Sequence, residues 1–365
     1  MKKYFFILAA AAALAACAKN EVTPVLSQEN TEIAYNVAPK TKATTDFATT
    51  NVFASWAYYL PNDKNWDENL TDAKLYIDNS TISYQKDGSD TWKETGKTYY
   101  WPKGGKLTFF AYSLNKNNLG LKGGPNLDYV TIAKEADCYG ITALIDLDEN
   151  PNTDFLVADI AKDQFQNTNK AHFRVGVPTL FKHKFSRVQF QVKKAAGYAG
   201  KEFKLNSIKF NKLSHAAIYA QSQDADKTGK KDGINEECIL ASGTRTTQVY
   251  TETALAITST DYVAVPEANE KRYIYIPQDF IGVTDANAIA TIEVNYTVTT
   301  TVTTTVGDNK VDDVCTATIN VKDYFDSWEM GKKYIFKLDF TLDEIKWDPA
   351  VENWVDVNST DITIQ

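Results

Sequence analysis

Alternation of apolar and polar residues is the dominant pattern in this chain, and it has the period of a β-strand. In the clearest case, Tyr334, Phe336, Leu338, Phe340 and Leu342 occupy every second position. Successive side chains of a strand point to opposite faces of its sheet, so this segment predicts a half-buried strand. No segment sustains the 3.6-residue period of a helix. The pattern therefore predicts an all-β protein whose short strands build two β-sandwiches.

Shorter segments of the same kind predict the other strands. They are residues 52–60, 75–77, 81–84, 98–101, 106–112, 139–147, 154–158, 203–210 and 273–276. Residues 98–112 are predicted to form one hairpin, and residues 292–321 a second one that turns at Gly307, Asp308 and Asn309. Between residues 180–185 and 188–192 the apolar positions shift by one, which is typical of a bulge in a single bent strand.

The same pattern predicts where the domains begin and end. Residues 17–46 are mostly polar, with Pro24, Pro39 and only a weak apolar patch at 33–37, so we expect a tether there. Ordered sequence is predicted to begin at Phe47. We place an N-terminal β-sandwich at 47–179 and a C-terminal one at 180–365.

The first seventeen residues carry an export signal. Lys2 and Lys3 precede an apolar run over 4–14, which is too short to span a bilayer. Ala16 and Cys17 end a small-residue site of the lipoprotein type, so residues 1–16 are predicted to be a signal peptide. Cys17 is then the lipid-attachment site, and the acyl chains hold the protein to a bilayer. The alternative is an ordinary signal peptide in which Cys17 is incidental.

The net charge limits the kinds of partner that the protein can bind, and the number of cysteines limits the disulfides that it can form. Loss of Lys2 and Lys3 with the signal peptide changes the formal charge from −8 to −10. An acidic surface repels phosphate backbones, which argues against nucleic-acid binding. Cys138, Cys238 and Cys315 permit one disulfide and leave its pairing open.

The sequence offers little to a catalytic or metal-binding interpretation. His172, His183 and His215 have no partner at ligand spacing, and the common catalytic motifs are absent. We therefore predict no catalytic residue, no metal and no cofactor. Two acidic stretches have the alternating oxygen ligands of a calcium loop, but each departs from that motif and is better interpreted as a solvated loop. These stretches contain Asp146, Asp148, Asn150, Asn152 and Asp154, and then Asp224, Asp226, Thr228, Gly229 and Asp232.

Aromatic residues are dense in the N-terminal half. They include Tyr99, Tyr100, Trp101, Phe109, Phe110 and Tyr112. Core packing is the favoured interpretation, because alternate members of a strand must face inward in a sandwich. The alternative is a monomeric surface lipoprotein that binds glycans through Trp66, Trp92 or Trp101.

Several short motifs in the order found here resemble the fimbrillin family of Bacteroidetes. The motifs are residues 14–17, 41–43, 100–102, 107–113, 181–188 and 276–278, then Trp328 with 331–334, and 345–349 before Val351 and Trp354. The resemblance implies two transthyretin-like β-sandwich domains in tandem and no enzyme activity. It also implies a pilus subunit that is made as an outer-membrane lipoprotein precursor.

The resemblance further implies assembly by strand exchange. In this family an N-terminal strand is removed by proteolysis, often after an Arg, and the open groove accepts a strand from the next subunit. The resemblance thus implies that residues 17–46 could hold a removable N-terminal strand as well as the lipidated tether. Here Lys40 and Lys42 are the candidate cleavage residues. Other fimbrial subunits, of the same or a homologous chain, and a host or bacterial surface ligand are the partners to expect.

Residues 355–365 are the candidate donor strand. Val355 and Val357, then Ile362 and Ile364, form two alternating pieces that suit the addition of an edge strand to another sheet. The alternative is that this tail completes its own sheet. We therefore predict a structural and adhesive fimbrial subunit, with a tip adhesin that binds through the insertion at 221–237 as the alternative within the fimbria.

Overall fold

The computed structural model describes most of the chain beyond the N-terminal thirty residues. The described residues are 31–37, 47–88, 90–116, 119, 130–135, 138–147, 153–166, 176–221, 238–242, 245–250, 254–266, 273–286, 288–341 and 344–354. Among them, helix is limited to α1 (Trp66–Asn69) and two 3-10 turns, Leu70–Asp72 and Val321–Asp323. The predicted all-β class is confirmed.

Strands make up the rest of the regular structure. In chain order they are β1 (Tyr35–Val37), β2 (Val52–Leu60), β3 (Lys74–Gln85), β4 (Thr91–Glu94), β5 (Lys106–Ser113), β6 (Val130–Glu135), β7 (Cys138–Asp146), β8 (Leu156–Ala158), β9 (Ala161–Gln164), β10 (Val177–Thr179), β11 (Phe181–His183), β12 (Ser186–Lys194), β13 (Lys201–Leu213), β14 (Ala216–Ala220), β15 (Cys238–Ser242), β16 (Arg245–Tyr250), β17 (Leu255–Ile257), β18 (Val263–Ala264), β19 (Ile274–Tyr275), β20 (Gln278–Asp279), β21 (Thr291–Thr304), β22 (Gly307–Asn320), β23 (Ser327–Trp328), β24 (Lys332–Phe340) and β25 (Ile345–Asn353). In the described part of the chain, no helix is long and apolar enough to cross a membrane.

Contacts between Cα atoms divide the chain into two compact units. Unit 1 contains the described parts of Met1–Ala38, Thr49–Ala111 and Ala158–Leu180. Unit 2 contains the described parts of Pro39–Ala48, Tyr112–Val157 and Phe181–Gln365. The two units alternate along the chain, and Tyr112–Val157 groups with unit 2. The predicted domain bounds of 47–179 and 180–365 stay a prediction.

Unit 1 is built on one sheet with the strand order β10-β1-β4-β3-β2-β5, and β9 pairs with β5. Both faces of this sheet are covered. On one face Trp66 of α1 packs on Phe110 and Tyr58, with ring centroids 5.4 and 6.1 Å apart. This explains why Phe109 and Phe110, although neighbours, are both buried.

Unit 2 has its core between two sheets. One has the order β18-β12-β24-β25 and the other β16-β13-β21-β22. Phe190 lies 5.8 Å from Phe210, and Phe340 lies 5.2 Å from Tyr296, so the facing strands interdigitate aromatic rings. Two packed sheets with inward-facing apolar residues form a β-sandwich.

Further small sheets complete unit 2. Strands β15, β14, β7 and β6 pair in that order, and β20 pairs with β23. The last residues of β5 pair with β8 through Tyr112 and Ser113, and β8 is followed in the sheet by β11.

Two of the predicted strand arrangements are wrong. Residues 98–112 do not form a hairpin, because Tyr100 pairs with Glu32 and β5 lies beside β2. Residues 180–192 are not one bent strand, because β11 and β12 belong to different sheets. The shift in apolar positions marks the passage of the chain from one sheet to the next, which a bulge would also produce in sequence.

The long hairpin forms with a different turn from the predicted one. Thr304 pairs with Gly307, so the turn is Thr305 and Val306, and Ile292 pairs with Ile319. Gly307 is the first residue of β22 and has φ of +133°, a conformation that glycine adopts readily.

Candidate functional site

The N-terminal strand β1 lies inside the sheet of unit 1. Tyr35 pairs with Val177 of β10 in parallel and with Trp92 of β4 in antiparallel orientation. The Val177 N–H donates a 2.8 Å hydrogen bond to the Ala34 carbonyl. A segment that was predicted as tether therefore contains a strand with neighbours on both sides, and its signal was the weak apolar patch at 33–37.

The residues just before β1 are also held. The Ile33 N–H donates to the Tyr99 carbonyl at 2.8 Å, and the Trp101 N–H donates to the Thr31 carbonyl at 3.0 Å. Residues 98–101, predicted as half of a hairpin, thus pair with the N-terminal segment. The predicted strand at 98–101 is reduced to an isolated bridge between Tyr100 and Glu32, a partner too far away in sequence to be inferred.

Polar contacts fix the ends of this segment. Lys93 Nζ lies 3.0 Å from Glu32 Oε2, and this hydrogen bond raises the pKa of Lys93. The Gln166 amide donates to Thr31 Oγ1 at 2.8 Å. These contacts are partly exposed, so they orient the strand more than they stabilise it.

Ile33 and Tyr35 fill two inward-facing positions of the segment and expose 3% and 2% of their surface. The Tyr35 ring meets Phe53 and Phe109 edge to face, with centroids 5.3 and 5.8 Å away. Its hydroxyl donates a 3.0 Å hydrogen bond to Oγ of the fully buried Ser55. Burial raises the pKa of the Tyr35 phenol, which keeps it protonated and a donor.

Gly176 lets β10 approach β1 closely. Its φ is +88°, and a Cβ at this position would lie 2.6 Å from the Ala34 carbonyl oxygen. Any larger residue would therefore meet both backbone strain and a clash with the N-terminal segment.

The candidate cleavage residues follow β1 in sequence, and the candidate lipid-attachment residue precedes it. All of them lie outside the described residues. Lys40 and Lys42 come shortly after the end of β1, at Val37. Ala16 and Cys17 also lie outside the described part of the chain. Their predicted roles remain predictions.

At the other end of the chain, β25 forms an edge of the sheet in unit 2. It pairs with β24 from Ile345 to Asn353, and Pro349, which has no N–H, lies in its middle. Proline is tolerated on an edge strand because no outer hydrogen bond is required there. The candidate donor residues Val355, Val357, Ile362 and Ile364 follow β25 and lie outside the described residues.

Trp354 anchors the end of β25. Its ring is stacked on His183 with centroids 3.7 Å apart and planes 9° apart, and it is 1% exposed. The backbone N–H of Trp354 donates a hydrogen bond to the Gly331 carbonyl at 3.0 Å. The last described residue of the chain is therefore fixed by packing.

His183 connects this anchor to a buried carboxylate. His183 Nδ1 lies 2.8 Å from Asp154 Oδ1, and the Asn115 amide donates to Asp154 Oδ2 at 3.0 Å. Their positions in sequence are far apart, so only the fold reveals the cluster. Asp154 had been considered as a calcium ligand, and here its two oxygens contact a histidine and an amide.

Two of the other candidate ligands, His215 and Asp146, form a pair. His215 Nδ1 lies 3.1 Å from Asp146 Oδ1, whereas His172 and the stretch 224–232 lie outside the described residues. In the described part of the chain, no three His, Cys, Asp or Glu side chains are grouped as a metal site would require. Cys315 is a free, half-buried thiol, and the side chains of Cys138 and Cys238 are outside the description.

The three tryptophans proposed as a glycan platform are not an exposed surface. Trp66 is 0% and Trp92 is 6% exposed, so neither ring can stack on a sugar in this structure. Trp101 is half-buried and packs edge to face on Phe109 at 5.8 Å. The alternative of glycan binding through these rings loses its basis.

Comparison with solved structures finds the same kind of fold in one fimbrial protein and weaker similarity to others. A fimbrial protein from Bacteroides vulgatus aligns over 89% of this chain and 100% of its own, with a TM-score of 0.56 and 18% identity. The tip fimbrial protein Mfa3 and the fimbrial anchor protein Mfa2, both from Porphyromonas gingivalis, align over 88% and 89% of this chain and 100% and 97% of their own, each at 8% identity, with TM-scores of 0.35 and 0.26.

Sequence comparison assigns the family. No match was found among curated protein sequences. The family model described as fimbrillin-like matches residues 41–354, which is most of the chain. The resemblance inferred from the short motifs is thereby confirmed, and the chain belongs to the fimbrillin-like family.

Proposed function

We propose that this protein is a structural and adhesive subunit of a cell-surface fimbria that is joined to its neighbours by strand exchange. The observation that carries the proposal is the position of β1. It lies between β4 and β10, inside a sheet, and the only basic residues between its end at Val37 and Phe47 are Lys40 and Lys42. A cut there would break the covalent link between β1 and the strands that follow it, and β1 could then be exchanged for another strand.

Removal of β1 would create a site that another strand can fill. The edges of β4 and β10 would lose their backbone partners, and the positions of Ile33 and Tyr35 would be empty. Burial of each such side chain contributes about 1.5–3 kcal/mol, so an open groove would bind a replacement strand through the same contacts. Residues 355–365, which directly follow the buried Trp354, are the proposed donor segment.

Lipoprotein export is the second part of the proposal. Residues 1–16 would be removed, and acyl chains on Cys17 would hold the precursor at the outer membrane until assembly. We expect Cys17→Ala to abolish incorporation of labelled palmitate. Normal labelling of that variant would contradict the assignment.

The donor role has a direct test in a chain that ends at Trp354. All described residues remain, so the variant should be exported and keep its midpoint of urea unfolding. It should be missing from purified fimbriae, because it has no strand to offer. Fimbriae that contain this variant at the normal level would overturn the donor assignment.

A structural role without enzyme activity agrees with the family and with the contacts of the buried polar groups. Asp154 and His183 contact each other inside unit 2, where their side chains are 3% and 2% exposed. A host or bacterial surface ligand, if the subunit is adhesive at the tip, would be recognised elsewhere than at Trp66 and Trp92.

A further inference from the structure

The groove occupied by β1 has one strongly selective position, which is the position of Tyr35. The site combines two aromatic edges, from Phe53 and Phe109, with a hydrogen-bond acceptor, Ser55 Oγ, at its end. An aromatic ring without a hydroxyl would fill the space and leave the acceptor without its donor. An aliphatic side chain would neither make the aromatic contacts nor supply the donor.

Ser55 depends on the phenol for its donor. It is 0% exposed, and its own hydroxyl points toward the Trp56 carbonyl at 3.5 Å, which is at the limit of a hydrogen bond. A buried hydroxyl that loses its partner costs free energy, because bulk water cannot replace the lost bond. The groove therefore distinguishes tyrosine from other residues by a polar contact as well as by shape.

The chain's own tail does not carry the side chain that this position fits. Residues 355–365 contain no aromatic residue. Alternate residues of a strand face the same side whichever way the strand runs, so every register of the tail presents an aliphatic, small polar or acidic side chain to the Tyr35 position. Ile362 and Ile364 have the spacing of Ile33 and Tyr35, but Ile364 lacks both the ring and the hydroxyl.

From this mismatch we infer that the groove selects the donor strand of a different subunit, one that carries an aliphatic residue and a tyrosine two positions apart. The inference rests on the strand exchange proposed above and names the partner of that same groove. Residues 355–365 of a second copy are a poor donor to this groove, so we place the subunit next to a heterologous neighbour.

The test is a competition experiment on the complete mature chain. A specific protease site is inserted between Val37 and Phe47, the protein is cut, and the N-terminal segment with a fluorescent label remains bound. Four unlabelled peptides then compete for the groove. Three consist of residues 28–42, as wild type, with Tyr35→Phe or with Tyr35→Ile, and the fourth is the tail peptide of residues 355–365. Fluorescence polarisation reports displacement of the label.

The expected order is set by the hydroxyl and the ring. The wild-type peptide should compete best, Tyr35→Phe less well, and Tyr35→Ile and the tail peptide about tenfold or more below wild type. In a chain with Ser55→Ala, the wild-type peptide should lose its advantage over the Tyr35→Phe peptide, because the buried phenol no longer has its acceptor, and a general loss of packing would not produce this change. Equal competition by the tail peptide and the wild-type peptide would overturn the selectivity while leaving strand exchange intact. Failure of every peptide, including wild type, would overturn both.

Discussion

Tyr35 illustrates how one residue can join a terminal segment to a core. Its ring and its hydroxyl both have specific partners, Phe53 with Phe109 and Ser55, although it belongs to a strand of three residues. A strand this short has few backbone hydrogen bonds, so its retention depends on these side-chain contacts. The contacts therefore decide whether β1 stays bound after a cut in the chain.

Substitution of Tyr35 should separate the two contributions. Tyr35→Phe should lower the free energy of unfolding by about 1 kcal/mol through the lost hydrogen bond. Tyr35→Ala should lower it by about 3–5 kcal/mol through the cavity. Urea denaturation of the mature chain measures both values. Tyr100→Phe, at a residue that is 43% exposed, is the matched control and should change little; a Tyr35→Phe effect no larger than this control would refute the role of the hydroxyl.

Trp354 should behave as the anchor of the tail. Trp354→Ala removes the stack on His183 and should destabilise unit 2 by about 3–5 kcal/mol, because a large buried ring leaves a cavity. Val351→Ala, three residues earlier on β25 and 50% exposed, should cost less than about 0.5 kcal/mol. Thermal or urea unfolding compares the two variants, and equal effects would show that Trp354 is not an anchor.

At the scale of elements, β1 depends on the close approach of β10. Gly176 provides this approach, since a side chain would meet the Ala34 carbonyl. Gly88 is a useful comparison in the same unit, because its φ of +92° is similar and nothing lies within 4 Å of its Cβ position. The pair separates the cost of backbone strain from the cost of a clash with β1.

The pair gives a sharp prediction. Gly176→Ala should speed hydrogen exchange in residues 31–37, because the clash displaces β1. Gly88→Ala carries a strain of about 1–2 kcal/mol but should leave that exchange unchanged. Hydrogen exchange followed by mass spectrometry resolves the two, and unchanged protection in the Gly176 variant would mean that the approach of β10 does not hold β1.

Elements with strong local patterns were predictable, and their partners were not. Residues 52–60 are rich in aromatic residues and residues 334–342 alternate clearly, and β2 and β24 form there. The hairpin at 98–112 failed because Tyr100 pairs with Glu32, a contact of long sequence separation that no local pattern encodes. The register of β21 and β22 was missed for a related reason: Thr305 and Val306 form a turn without the Asn or Gly that usually marks one.

For the whole molecule, the class and the family were accessible from sequence, while the candidate site was only partly so. The short segments of alternating apolar and polar residues indicated an all-β fold. The order of the short motifs along the chain indicated the fimbrillin-like family. The N-terminal strand was expected from the resemblance, but its place between β4 and β10 depends on pairing across more than fifty residues. The His183, Asp154 and Trp354 cluster likewise joins three distant segments.

The central claim is that β1 must leave its sheet before the subunit enters a fimbria, and a covalent lock tests it most directly. Asn36 and Pro178 are register partners on β1 and β10, and neither is buried. Neighbouring strands lie about 5 Å apart, within the Cα separation that a disulfide can bridge. The double variant Asn36→Cys with Pro178→Cys should therefore close a disulfide under oxidation.

In cells that assemble the fimbria, the oxidised double variant should accumulate as a surface precursor and be absent from purified fimbriae. Each single cysteine variant, treated in the same way, should be incorporated normally, and reduction should restore incorporation of the double variant. Oxidised double variant found in fimbriae at the level of the single variants, with its disulfide intact, would contradict the account.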